Sequence, residues 1–261
     1  MDLSAAIADA LSAPDAMLRV KRTRALVRAW RRGKLDWTFV VPMADRPIEP
    51  VTPVLLRPGA MPKRRRGGSL AGRIALLHAL AHIEFVAIAL ALDIVGRFGA
   101  QFPRTFSDEW LGVAADEAMH FALLDRRLRQ LGSRYGALPA HDGLWSTAQA
   151  TAEEAIVRLA LVPMVLEARG LDVTPATVAR LRALGDEPSA RILERIYQDE
   201  IRHVAVGTRW FEWSCKKAEI EPQGHWKELV RTRLNGVVKP PFNDSARASA
   251  GLTQEYYAAV A

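Results

Sequence analysis

VAADEAMHFALL, residues 113–124, is an apolar helical run interrupted by two groups foreign to a core, the carboxylate Glu117 and the imidazole His120. Successive helical residues turn by about 100°, so positions three, four, seven and eleven apart share a face. Glu117 therefore lies on the stripe of Trp110, Val113, His120, Phe121, Leu124 and Leu128, the apolar side of its helix. YQDEIRHVAVG, residues 197–207, repeats the design, placing Glu200 and His203 with Leu193, Ile196, Tyr197, Val204, Gly207 and Phe211. Two further glutamates behave alike. Glu84 shares a face with Leu77, Leu80, Ile88, Ala91 and Val95, and Glu167 shares one with Ile156, Ala160, Pro163 and Met164. Four long helices thus each point one glutamate inward.

An ionised carboxylate isolated in a core costs several kcal/mol, so four such groups demand compensating positive charge in a marginally stable domain. No lysine or arginine recurs at all four places, whereas two divalent cations balance four carboxylates and two neutral imidazoles complete the set. Carboxylate with imidazole suits iron or manganese, and the lone Cys215 excludes thiolate sites. The spacing argues independently for a shared site. Glu84 and Glu117 stand 33 residues apart, as do Glu167 and Glu200. Adding 83 to Glu84, Asp116, Glu117 and His120 gives Glu167, Asp199, Glu200 and His203. Two helix pairs related by a pseudo-twofold axis would leave this imprint.

One Glu from each of two helices plus Glu-x-x-His from each of two others resembles the ferritin-like di-iron carboxylate proteins. More narrowly, HALAHIE, DEAMHF, LPAHD, VLEARGLD and DEIRHVAVG, between Ser69 and Ala218, resemble an uncharacterised bacterial ferritin-like family. The resemblance implies that Glu84 and His120 bind one metal, Glu167 and His203 the other, and Glu117 and Glu200 bridge them. Asp116 and Asp199 would then accept hydrogen bonds from the histidines of the opposite helix and fix their orientation. Tyr197, Met164 and His82 are candidates to line the site. Two iron ions are the expected cofactor, with manganese or a mixed pair compatible with the same ligands. The expected activity is activation of dioxygen to hydroxylate or oxidise a small or conjugated organic substrate. A separate electron donor would be needed, since no glycine fingerprint for a nucleotide is present. Two alternatives share the ligand set: a tRNA-modifying hydroxylase, and a ferroxidase or iron-handling protein.

Around these helices, periodicity predicts an all-α protein, a ferritin-like four-helix bundle with additional segments at both ends. A basic helix from about Asp15 to Arg32 and the Pro-rich connector VPMADRPIEPVTPVLLRPGAMP form an expected N-terminal segment, 1–66. The bundle is expected over 67–220. Its helices run from Ser69 to about Phe98, from Pro103 to before Gly132, from about Ser146 to Gly170 with a kink at Pro163, and from about Glu187 to Ala218. Thr174 and Pro175 read as the start of a short helix ending at Gly185, and 221–261 as a helical segment near Trp226 followed by an irregular tail.

The apolar run from Ile74 to Val95 is as long as a membrane span, yet it carries His78, His82, Glu84 and Asp93, so a buried helix is expected instead. The first eighteen residues lack the basic-then-apolar order of a signal peptide, and the expected compartment is the cytoplasm. The net charge is +7, and its cations cluster in RVKRTRALVRAWRRGK (19–34) and KRRR (63–66), surfaces on which tRNA is a candidate partner. Self-association is compatible with everything above.

Overall fold

The structure, a computed structural model, describes residues 1–62, 68–234 and 238–258. It is all-α, as the periodicity predicts. The chain divides into two compact units, Met1–Gln149 and Ala150–Ala261. This cut falls inside the expected 67–220 bundle, between its two helix pairs, and the flanking segments are built into the units. The expected boundary at 66/67 and the KRRR run at 63–66 lie outside the described residues.

The first unit contains α1 (Leu3–Leu11), α2 (Ala16–Arg31), α3 (Leu70–Phe98), α4 (Arg104–Gln130) and α5 (Gly143–Ala150). Side-chain oxygens start its helices: Asp2 accepts from the Ala5 amide, Asp15 from Leu18 and Ser69 from Gly72, each taking up a donor that the first turn leaves bare. α3 and α4 form a hairpin around the short connection 99–103. By length and composition α3 suits a membrane, but most of it is buried. Its Asp93, 1% exposed, is held by Arg97 one turn on, at 2.8 Å. α1, absent from the reading of the sequence, packs on α3, and α2 packs on α4, so that Leu3, Ile7, Val20, Val27 and Trp30 join one core with the hairpin. The Pro-rich connector is largely irregular, and its Leu55–Leu56 (β1) pairs in parallel with Ala140–His141 (β2).

The second unit contains α6 (Ala155–Leu161), a π-helical turn (Val162–Glu167), α7 (Ala168–Ala183), α8 (Glu187–Lys217), α9 (Pro222–Arg233), α10 (Asp244–Ser249) and α11 (Gln254–Tyr257). α7 and α8 form its hairpin. Gly185, at φ +71°, reverses the chain, and Asp186 caps α8 through the Ser189 amide. Here three expectations are corrected. The helix expected over 146–170 is broken at 151–154, where the Thr151 hydroxyl accepts from Nε of the buried Arg158 at 2.7 Å. Pro175 does not start a helix but lies inside α7. The carbonyl that its missing amide would leave bare belongs to Leu171, and Asn243 Nδ2 donates to it at 3.1 Å. The tail, finally, is not wholly irregular, because α10 and α11 are built into it.

At Pro163, where a kink is expected, the helix passes into the π turn, with the nearby Ala160 carbonyl accepting from Trp226 Nε1 at 3.1 Å. Gly207 on α8 makes room for this turn: a Cβ there would lie 2.4 Å from the Pro163 Cβ. Gly207→Ala is therefore expected to cost about 2 kcal/mol by overpacking, read as a lower urea midpoint at unchanged slope. Gly112→Ala, where a Cβ meets nothing within 4 Å, should leave the midpoint level or raise it slightly.

Candidate metal centre

In each unit the two glutamates, 33 residues apart, stand on either side of a turn between helices, at 99–103 for Glu84 and Glu117 and at 184–186 for Glu167 and Glu200. In the first unit the arms bring Glu84, Glu117 and His120 together. One ligand atom from each lies within 4.8 Å of the others. His120 Nδ1 is 3.2 Å from Glu84 Oε2 and 3.4 Å from Glu117 Oε2. All three residues are buried, with exposures of 4%, 1% and 0%. Burial, reinforced by the charge of Glu117, raises the Glu84 carboxyl well above the usual range. Burial works to lower the His120 imidazole, but its hydrogen bonds to Glu117 and Glu84 prevail and raise it to about 11. These protons are what a cation would displace, and it would then face two carboxylates that water does not screen. Two carboxylate oxygens and one imidazole nitrogen, with no thiolate, form a group that could hold a metal ion.

In the second unit His203, also buried, places Nδ1 3.6 Å from Glu200 Oε1 one turn earlier on α8. Glu167 ends the π turn, which packs against α8. π turns inside helices recur at functional sites because they re-aim a side chain by one residue. Met164, fully buried, belongs to the same turn. Asp199 is buried and accepts from Arg195 Nε at 2.7 Å and from Arg202, both on its own helix. Asp116 is half-buried on α4.

Residues 12–258 match the family described as a protein of unknown function, DUF455. The chain belongs to the DUF455 family. An uncharacterised protein of Haemophilus influenzae is 40% identical over 225 residues, covering 84% of this chain and 78% of its own length. No solved structure matches the chain. The DUF455 match spans both hairpins and all six candidate ligands.

Other expected site residues of this DUF455 chain have structural partners. Tyr197 is half-buried, and its hydroxyl accepts from Asn243 Nδ2 at 3.0 Å. His82, a candidate to line the site, holds the loop after α4: Nδ1 meets the Tyr135 hydroxyl at 2.9 Å and Nε2 the His141 carbonyl at 3.2 Å. A carbonyl only accepts, so Nε2 carries the proton and Nδ1 accepts from the tyrosine. His78 grips the same loop, its Nε2 accepting from the Gly136 amide at 3.0 Å. The Arg46 guanidinium holds Asp142. The sequence sets both histidines in the apolar run of α3 but carries no signal for a loop 53 and 58 residues away.

Burial lowers His82 to about 4 and shifts His78 downward as well. A base depressed in the folded state contributes stability that is fully present above its unfolded pKa and is lost as pH falls below it. The urea midpoint is therefore expected to fall between about pH 6.5 and 4. His78→Gln, which still offers an acceptor to Gly136 but does not titrate, should flatten that fall. Parallel curves for the two proteins would contradict the assignment.

Proposed function

We propose that the chain is a non-haem di-metal carboxylate oxidoreductase that uses dioxygen to hydroxylate or oxidise an organic substrate. The supporting observation is the buried Glu84, Glu117 and His120 cluster, together with the recurrence of the same residue types 83 positions on. Glu84 and His120 would hold one ion and Glu167 and His203 the other, with Glu117 and Glu200 bridging. This is the ligand arrangement of the ferritin-like proteins that the motifs resemble. Two bound iron ions would supply the electrons that dioxygen requires, and a separate donor would restore them.

The chain's own residues set the conditions for that chemistry. Glu84, Glu117 and His120 bind metal only when deprotonated, so occupancy displaces protons and is favoured by rising pH. All three are buried, so bulk water does not screen them, which strengthens every charge interaction inside. The Arg195 and Arg202 guanidinium groups fix the Asp199 carboxylate next to Glu200 in sequence.

Loading the protein with ferrous ion under nitrogen and then mixing it with air tests the reading. Rapid consumption of dioxygen is expected, in step with loss of the ferrous state, and Glu117→Ala should slow it by at least tenfold. Oxygen uptake no faster than that of free ferrous ion would contradict the proposal. Full uptake with every electron traced to iron, and with no organic product on adding a reductant and cell extract, would favour a ferroxidase.

A further inference from the structure

The outer face of α2 has a character that the metal centre does not use. Lys21, Arg28 and Arg32 fall within about 40° of one another around the helix, and Arg31 flanks them. All four are exposed, and among the described residues none is paired with a carboxylate. Arg22, by contrast, meets Asp9 at 3.3 Å. The stripe is about 16 Å long, enough to follow several successive backbone phosphates. Round the helix from the stripe, Arg31 lines a cleft of about 260 Å³ with Trp30, Arg104, Asp108 and Gly112. Trp30 is locked there: its Nε1 donates to Asp108 Oδ1 at 2.8 Å, and the Arg104 guanidinium lies 4.4 Å from its ring centroid. An arginine held over an indole is a group on which an unpaired base can stack, with Asp108 as acceptor at the rim.

We infer that this stripe and cleft bind single-stranded nucleic acid, the stripe tracking phosphates and the cleft taking one unpaired base. The inference is independent of the metal-centre reading. An anionic bilayer is the competing polyanion, but a helix lying in a bilayer must turn its apolar face outward. Val20, Leu26, Val27 and Trp30 of α2 are buried, which leaves Met17 as its exposed large apolar residue, too little to seat the helix in a bilayer.

The test is fluorescence anisotropy with a labelled oligoadenylate RNA of about fifteen nucleotides, titrated at several salt concentrations. Four phosphate contacts predict a slope of log K against log salt of about −3. The triple variant Lys21→Ala, Arg28→Ala, Arg32→Ala should shallow it by about 2. Gly112→Leu, which fills the cleft from a position where a Cβ meets nothing within 4 Å, should weaken binding at least fivefold at an unchanged slope. Should that variant fail to fold by circular dichroism, Arg104→Ala reads the same cleft. No binding at low salt, an unchanged slope in the triple variant, or full affinity in the cleft variants would each overturn the inference. So would tighter binding to phosphatidylserine vesicles than to RNA.

Discussion

Arg247→Met is expected to cost about 3–5 kcal/mol of stability, because it strands a buried carboxylate. Arg247 and Asp172 are both fully buried as side chains and joined by two hydrogen bonds, of 2.8 and 2.7 Å. The guanidinium is also flanked by the rings of Phe242 and Tyr257, at 5.0 and 4.7 Å. Without it Asp172 keeps the Asn243 amide at 3.0 Å and the partly exposed Arg169, and neither replaces a buried bidentate partner. Removing both charges, in Asp172→Leu with Arg247→Met, should recover most of the loss, since an apolar pair carries no desolvation cost. Urea denaturation of the three proteins measures this. A single variant within 1 kcal/mol of the wild type would show that the tail is not held this way. The lock bears on the site as well, because Asp172 lies on α7 directly after the π turn that carries Glu167.

The second large effect concerns the proposed ligands. Removing Glu117 deletes one of the two carboxylates that, with His120, make the first cluster attractive to a cation. The proposed role as a bridge means that both ions, not one, should lose affinity in Glu117→Ala, and symmetrically in Glu200→Ala. Asp199→Asn, which alters a neighbour rather than a ligand, is expected to weaken metal binding by about 10- to 100-fold without abolishing it.

The helices whose limits were legible in the sequence are those with a local stop or start signal. Asp15, Ser69 and Asp186 cap α2, α3 and α8 through their own side chains, and Pro103 stands directly before α4. α7 was misread because its Pro175 is tolerated through a bond from Asn243, and nothing near Pro175 announces it. Glu84, Glu117 and His120 were legible as a cluster because helical periodicity and the paired intervals both depend only on spacing. The engagement of His78 and His82 with a distant loop depends on tertiary contacts instead, and so does the room that Gly207 leaves for Pro163. Spacing fixes which face a residue occupies, while the partner met on that face is decided by the rest of the chain.

The most direct test of the central claim is a count of bound metal. Wild-type protein, stripped by chelation, reloaded with ferrous ion under nitrogen, desalted and measured by mass spectrometry, should carry two iron ions per chain. Glu117→Ala and Glu200→Ala, treated alike and shown to be folded, should each carry fewer than one. A wild-type protein that retains no iron, or variants that still retain two, would contradict the account.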